Sequence, residues 1–115
     1  MLKKPNRLIS NFEFNVVKKY GKKYRYDSFF ATIVKPTNYT GPVKIGFVIA
    51  NHLEKSAAKR NKIKRVFREV VRNHIQELPV DNWISLVANS NTINKSYEEV
   101  NADFAKFLQE ISISK

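Results

Sequence analysis

The residues best suited to chemistry in this 115-residue chain are arginines, lysines and one asparagine between positions 60 and 72. Arginine presents a planar fork of five N–H donors that can bind two phosphate oxygens at once, whereas lysine offers a compact positive charge. At about 100° per residue, an α-helix would align four of them in one stripe. The stripe contains Asn61, Arg65, Arg68 and Arg72, with Lys64 beside it and Arg60 and Lys62 on its two shoulders. This pattern predicts contact with phosphate groups.

A helix over 57–77, ended by Pro79, would position this stripe. Its apolar residues lie within about a third of the helical wheel, which indicates a side facing the core. They are Ile63, Val66, Phe67, Val70, Val71 and His74. The arginines must then face solvent. Neighbouring like charges on a helix repel by about 0.2–0.5 kcal/mol per pair, and only Glu69 relieves them here.

The positive charge of the whole chain is concentrated in two segments. The chain has 21 Lys and Arg residues against 10 Asp and Glu residues, which gives a net charge of +11 and a pI near 10.0. Segments 1–25 and 55–74 contain most of the cations, whereas 75–115 is mildly acidic. Such segregation favours a polyanionic partner, with nucleic acid first and an anionic membrane surface second.

Composition limits the class of protein. With 43% hydrophobic residues, the chain can form one packed domain over 1–115. It has no cysteine, which excludes disulfides, thiolate zinc sites and a cysteine nucleophile. No apolar run reaches the roughly 18 residues of a spanning helix, and no apolar segment follows the basic N-terminus as in a signal peptide. We therefore expect a cytoplasmic protein with no membrane partner.

The other segments predict the element order αββαβα. A capping box formed by Ser10 and Glu13 opens a helix that runs to about Lys19 and is ended by Gly21 as a C′ residue. The strand patterns at 27–35 and 43–50 flank a turn and indicate an antiparallel hairpin. Further elements are a strand at 82–88 and a helix that follows a capping box at Ser96 and Glu99, with an apolar face of Val100, Phe104, Phe107, Leu108 and Ile111.

Segment 59–68 resembles the RNR signature of the bacterial ribonuclease P protein subunit. The pattern Arg-Asn-x-x-Lys-Arg-x-x-Arg is met by Arg60, Asn61, Lys64, Arg65 and Arg68. The similarity extends in order over nearly the whole chain. It includes Asn6, Arg7, Leu8, Glu13, Phe14, Gly21, Phe29, Gly46, Phe47, Lys55–Ala58 and the segment 81–88.

The resemblance implies both a fold and an activity. The fold is of the α+β class, a single α/β sandwich domain with order αβββαβα (ribosomal S5 domain 2-like). It has a central sheet of about four strands and a left-handed crossover through the RNR helix. The activity is Mg²⁺-dependent endonucleolytic removal of the 5′ leader from precursor tRNA. In that family the catalytic RNA performs the hydrolysis, which implies no catalytic residue, metal site or intrinsic cofactor in the protein, and no protein partner.

The resemblance also implies where RNA binds. The RNR helix would contact the catalytic RNA through Arg60, Asn61, Lys62, Lys64, Arg65, Arg68 and Arg72. A cleft between the first helix and the sheet would take the single-stranded leader, with Phe14 and Phe29 stacking on unpaired bases. Ordinary core packing is the alternative for either phenylalanine. His74 is expected to be a packed core histidine, and His52 lies 22 residues away in sequence.

The chain departs from the family pattern at four places. Ala50, Asn51 and His52 replace a usual Ser-Lys-Lys, and Lys18 replaces an aromatic residue one turn beyond Phe14. Tyr26 and Asp27 replace an Asn-Arg pair, and Asn89 replaces an arginine. These departures affect the leader-binding details more than the RNA-binding role.

Four alternatives remain open from the sequence. The chain could be a ribosomal or other structural RNA-binding protein without a role in cleavage, which the identity of its bound RNA would reveal. It could be a DNA reader with 57–77 as recognition helix, although the segment before Lys55 predicts a strand rather than a partner helix. The basic helix could also lie on a membrane surface, or simply be solvated.

Overall fold

The computed structural model describes residues 4–8, 10–49 and 55–113. Its main elements are α1 (Asn11–Tyr20), β1 (Lys22–Arg25), β2 (Phe30–Val34), β3 (Lys44–Val48), α2 (Ala57–His74), β4 (Trp83–Val87) and α3 (Tyr97–Ile113). Short 3-10 turns occupy Lys4–Asn6, Ile75–Glu77 and Thr92–Asn94. This confirms the α+β class and the order αβββαβα. The additional strand lies at 22–25, before the segment in which two strands were expected.

The four strands form one sheet in the order β1-β2-β4-β3. β2 pairs with β1 and β4 in antiparallel fashion, and β3 pairs with β4 in parallel. The predicted hairpin over 27–50 is therefore wrong, because β4 lies between β2 and β3. The reason is burial: Trp83, Ile84, Ser85 and Leu86 are all buried, so this strand takes the centre, where both faces are covered.

The parallel pair β3 and β4 is joined by α2. Parallel neighbours need a crossover connection, and here the cationic helix supplies it. The left hand of this crossover stays a prediction of the family resemblance. None of the helices in the described ranges is long and apolar enough to cross a membrane.

The helices cover the two faces of the sheet unequally. α2 and α3 pack on one face, where the core contains the fully buried rings of Phe29, Phe67, Phe104 and Phe107. α1 packs on the other face over a much smaller apolar cluster of Leu8, Val17 and Trp83. The first face provides most of the apolar burial. The second face is covered only in part by α1, so the rest of it is open to solvent.

Local hydrogen bonds fix α1 at its start. The Ser10 hydroxyl accepts from the Glu13 backbone N–H at 3.1 Å, and the Glu13 carboxylate accepts from the Ser10 N–H at 3.1 Å, which confirms the capping box. The same carboxylate pairs with the Lys44 ammonium on β3 at 2.9 Å. Glu13 therefore both starts the helix and ties it to the sheet.

α1 ends at Gly21 for a reason that differs from the expected one. The residue is extended (φ −79°, ψ 155°) and is not a left-handed C′ glycine. A Cβ at this position would lie 2.4 Å from the Val17 carbonyl oxygen and 2.5 Å from the Thr32 Cγ2. Glycine is needed because the chain passes close to both α1 and β2 as it enters the sheet.

The predicted bounds of α2 and the predicted capping box of α3 are confirmed, with a small change at the end of α2. The predicted helix over 57–77 is α-helical to His74 and continues as a 3-10 turn to Glu77. The second capping box forms: the Ser96 N–H donates to the Glu99 carboxylate at 3.1 Å, and the Glu99 N–H donates to the Ser96 hydroxyl at 3.3 Å.

A buried polar network holds the β1–β2 turn against α3. The Asp103 carboxylate accepts from the Ser28 N–H at 3.0 Å and from the Ser28 hydroxyl at 2.6 Å. The Thr92 hydroxyl donates to the Ser28 carbonyl at 2.6 Å. These bonds join three segments that are distant in sequence.

Replacing Asp103 with alanine should therefore lower stability. Asp103→Ala leaves the buried Ser28 donors without their acceptor, a loss of about 1–3 kcal/mol in the free energy of unfolding. Urea denaturation measures it. The matched control is Gln109→Ala, an exposed position on the same helix, which should change stability by less than about 0.5 kcal/mol. Equal effects in the two variants would contradict a structural role for the network.

Candidate nucleic-acid interface

The cationic residues predicted to bind RNA lie together on the outer side of α2. The Ser56 hydroxyl caps the helix by accepting from the Lys59 N–H at 3.4 Å, and Ile63, Phe67, Val70 and Val71 are buried beneath it. We call seven outer residues together the α2 cationic face: Arg60, Asn61, Lys62, Lys64, Arg65, Arg68 and Arg72. Asn61, Lys62, Lys64, Arg65 and Arg72 are exposed, and Arg60 and Arg68 are half-buried.

The protein's own carboxylates neutralise little of this face. The Arg72 guanidinium pairs with Glu69 at 3.0 Å, an exposed pair of the kind worth about 0.2–1 kcal/mol. The Arg68 Nε donates to the Lys64 carbonyl at 3.3 Å, which aligns its guanidinium along the helix. Among the described residues, no carboxylate pairs with Lys62, Lys64 or Arg65. The face is therefore open to an external anion.

A second candidate surface lies between α1 and the sheet. It is a cleft of about 410 Å³, which we call the α1 cleft. Aromatic rings, small polar side chains and cations line it together. The lining residues are Phe14, Asn15, Lys18, Lys23, Arg25, Phe30, Thr32, Val48, Ser85 and Val87. Such a mixture suits a chain that carries both flat bases and phosphates.

The position of Phe14 depends on Gly46. A Cβ on Gly46 would lie 2.3 Å from the Phe14 Cζ, so the ring occupies the space that any other side chain would need. The ring is half-buried against β3 and still lines the α1 cleft. The structure thus places Phe14 where the family resemblance implied.

Phe29 lies elsewhere, and its assignment to the cleft is corrected to Phe30. Side chains alternate along a strand, so neighbouring residues point to opposite faces of the sheet. Phe29 is fully buried and packs with Phe67 (ring centroids 6.1 Å apart) in the core beneath α2. Phe30 is 40% exposed on the α1 side, with the Arg25 guanidinium 5.7 Å from its ring centroid.

Sequence reasoning missed Phe30 and Arg25 as cleft residues. Tyr24 is buried in the main core, so the strand period of two puts its neighbour Arg25 on the α1 side. The same period separates Phe29 from Phe30. The alternation of side chains can be read from the sequence. It identifies the cleft residues only once the strand boundaries and one inward-facing residue are known.

An open groove of about 640 Å³ joins the two surfaces. It shares Phe14 and Val48 with the α1 cleft and reaches Lys64 on the α2 cationic face. Phe47 and Ile49 form part of its wall. A flexible ligand can therefore run from the cleft to α2 without leaving the protein surface.

The departures from the family pattern have different positions in the structure. Lys18 lines the α1 cleft as a cation where an aromatic residue was expected. The Asn89 side chain accepts from the Asn91 N–H at 2.8 Å and donates to the Tyr26 carbonyl at 3.3 Å, so it shapes the loop after β4. The segment 50–54, which includes His52, lies outside the described residues.

The groups whose pKa values are clearly shifted lie on the α3 side of the molecule. Burial raises the pKa of the Tyr26 hydroxyl, and its hydrogen bond to Glu110 at 2.8 Å adds to the effect. A hydrogen bond from Lys95 holds the pKa of the Asp27 carboxyl below its usual value. None of these groups lines the α1 cleft.

His74 is placed as a packed residue at the end of α2. Its ring lies 5.7 Å from the Phe104 ring, its Nδ1 contacts the Glu77 carboxylate, and its Nε2 lies 2.8 Å from the Asn101 Oδ1. Both nitrogens are thus engaged within the protein. In the described part of the chain, no three His, Asp or Glu side chains are grouped so as to hold a metal ion.

A Gly46→Ala substitution tests how Phe14 is held. The new methyl group would displace the ring, and overpacking of this kind costs about 1–3 kcal/mol of stability. Chemical denaturation of Gly46→Ala, Phe14→Ala and the double variant forms a thermodynamic cycle. We expect most of the cost of Gly46→Ala to disappear in the Phe14→Ala background. An unchanged cost there would show that another contact restricts position 46.

Comparisons with known proteins identify the family. The sequence model of the family Ribonuclease P matches residues 2–112. The ribonuclease P protein component of Finegoldia magna is 34% identical over 94 residues, which cover 82% of this chain and 80% of that protein. The corresponding component of Desulfosudis oleivorans is 31% identical over 110 residues, which cover 96% of this chain and 88% of that protein.

Solved structures support the fold. The RNase P protein of Staphylococcus aureus superposes with a TM-score of 0.80 at 20% identity, covering 95% of this chain and 96% of that one. The RNase P protein of Thermotoga maritima gives 0.78 at 21% identity, with coverage of 90% and 96%. Together with the sequence matches, these findings show that the chain belongs to the ribonuclease P protein component family, the protein subunits of a ribonucleoprotein endoribonuclease.

Proposed function

We propose that this chain binds the catalytic RNA of ribonuclease P through the α2 cationic face and the 5′ leader of precursor tRNA in the α1 cleft. Membership of the family makes RNA its partner. The observation that supports placing the two RNAs on these two surfaces is the groove that joins the surfaces through Phe14, Val48 and Lys64. The catalytic RNA cuts precursor tRNA at the end of the leader, so the leader and the catalytic RNA need adjoining binding sites on the protein.

The α2 cationic face suits folded RNA because it presents its donors from an anchored helix backbone. The helix is anchored by four buried apolar residues, so the guanidinium groups of Arg65 and Arg68 project from a fixed backbone. Phosphate contacts of this type supply affinity without reading sequence. Asn61 adds a neutral donor and acceptor on the same face.

The α1 cleft suits a single strand rather than a duplex. Phe14 enters it from the helix and Phe30 from the sheet, so both rings line the space in which unpaired bases would stack. Base–aromatic stacking tolerates any sequence because every base has a π face. Lys18, Lys23 and Arg25 supply cations along the same cleft for the backbone phosphates.

In this proposal the hydrolysis belongs to the RNA and to Mg²⁺ bound by RNA, as the family resemblance implies. The side chains of the α2 cationic face offer mainly nitrogen donors, and the oxygen acceptors at hand are the Asn61 amide oxygen and the neighbouring Glu69 carboxylate. This set suits phosphate rather than Mg²⁺, which prefers several oxygen ligands. The protein's residues bind and orient the two RNAs. We place this activity in the cytoplasm.

An Arg65→Ala substitution tests phosphate contact on α2. Each lost contact lowers the magnitude of the slope of log K against log salt by about 0.7–0.9. We expect that change when binding to ribonuclease P RNA is titrated with salt, with thermal stability unchanged because Arg65 is exposed. Lys35→Ala removes an exposed cation outside both surfaces and is the control. A slope equal to that of the unsubstituted protein would rule out a phosphate contact at Arg65.

Alanine substitutions at Phe14 and Phe30 test the cleft. Each should weaken binding of leader-bearing precursor tRNA by about 5- to 150-fold, which corresponds to about 1–3 kcal/mol of stacking per base. Binding of mature tRNA should not change, since it has no leader. Comparative affinity measurements with the two RNAs on the reconstituted holoenzyme provide the readout.

The control for the cleft is Phe12→Ala. Phe12 is also on α1 and is 71% exposed, but it does not line the cleft. If all three variants lose affinity equally, or if mature tRNA binding falls in parallel, the leader assignment fails. RNA that co-purifies with the chain separates this proposal from a ribosomal or other structural role: ribonuclease P RNA supports it and ribosomal RNA contradicts it.

A further inference from the structure

A third concave site lies on the opposite side of the sheet from the α1 cleft. It is a cavity of about 170 Å³ between the start of α2, the 3-10 turn at Thr92–Asn94 and the start of α3, which we call the α2–α3 pocket. It is smaller than the roughly 300–1,000 Å³ of pockets that enclose drug-sized ligands. A ligand that fits it is therefore about one ring system in size.

The inner walls of the α2–α3 pocket are apolar. Ile63, Phe67 and Val100 are buried, and Val66 and Ile93 are half-buried beside them. Such walls favour a flat, weakly hydrated group over a hydrated ion. They therefore exclude inorganic phosphate alone as a well-matched ligand.

Cations from two elements, α2 and the loop before α3, surround the apolar walls. Lys59 and Lys62 come from successive turns of α2, and Lys95 comes from the loop before α3. Lys95 is fixed by Asp27 at 2.5 Å and by Glu99 at 3.4 Å, and the hydrogen bond to Asp27 raises its pKa, so it stays charged. Lys62 has no carboxylate partner among the described residues.

We propose that the α2–α3 pocket binds one unpaired nucleotide of an RNA chain, with the base against the apolar walls and its phosphate on Lys59 and Lys62, because Lys95 is already paired with Asp27 and Glu99. Lys62 belongs to both the pocket and the α2 cationic face, so the opening adjoins the surface on which RNA is proposed to lie. The Asn94 side chain at the rim offers hydrogen bonds to a base edge. The inference rests on the proposed function, because it requires RNA on α2.

Nuclear magnetic resonance of the full ¹⁵N-labelled chain tests the proposal. Single-stranded tetraadenylate and adenosine 5′-monophosphate should both shift the amide resonances of Asn94, Lys95 and Val100. Inorganic phosphate and adenosine at the same concentration should shift them much less, because each carries only half of the recognised group.

Two substitutions that preserve folding sharpen the test. Lys59→Glu reverses a charge at an exposed site in the first turn of α2, where a carboxylate favours the helix. Asn94→Asp adds a negative charge at the pocket rim without a change in size. Each should weaken adenosine 5′-monophosphate binding at least fivefold. Lys35→Glu and Asn38→Asp, the same changes at exposed positions elsewhere, should leave it unchanged.

Several results would overturn the inference. The inference fails if inorganic phosphate alone produces the same shifts as the nucleotide, or if either pocket substitution leaves nucleotide binding unchanged. If tetraadenylate shifts only α1 cleft resonances such as Phe30 and Ser85, the pocket assignment fails and the leader assignment stands. If tetraadenylate shifts the resonances of neither site, both the pocket assignment and the leader assignment fail. If only the mononucleotide shifts the pocket resonances, the site does not serve an RNA chain.

Discussion

The packing of the apolar side of α2 onto the sheet is the interaction on which the interface depends. Phe67 is central to it: its ring centroid lies 6.1 Å from that of Phe29 and 5.8 Å from that of Phe47. Each fully buried side chain of this size contributes about 1.5–3 kcal/mol. This burial offsets the repulsion among the arginines and lysines on the outer side. The helix can therefore present an excess of positive charge on a rigid backbone.

The alternation of side chains along each strand gives the sheet one fully packed face and one partly open face. One face packs against both α2 and α3 and contains the large aromatic core. The other face carries only α1, whose small cluster around Leu8, Val17 and Trp83 occupies one part of the sheet. The remaining part of that face is the α1 cleft. Gly46 leaves the space that the Phe14 ring occupies, and Gly21 lets the chain pass close to α1 and β2, so both glycines allow α1 to lie close to the strands.

The sequence predicted the elements with strong local signals and missed those that depend on distant pairing. The periodicity and caps of α1, α2 and α3 are local, and all three helices form as expected. β1 (Lys22–Arg25) was missed because it is a short edge strand with one buried residue. The hairpin over 27–50 was wrong because strand order depends on β4, which is distant in sequence. Phe29 and Phe30 are chemically identical neighbours, so only the observed register shows which ring faces the cleft.

The central place of β4 has a consequence for biosynthesis. Within the described ranges, β3 pairs with no strand other than β4, apart from one isolated bridge to Arg7, and β2 has only β1 until β4 is added. During translation the sheet cannot close until residue 87 has been made, which is after both α1 and α2 have been synthesised. Non-local pairing of this kind is slow, and its intermediates expose apolar surface. Until then α2 has no complete sheet to pack against, so a ribosome-bound nascent chain cannot yet present the α2 cationic face in its final shape.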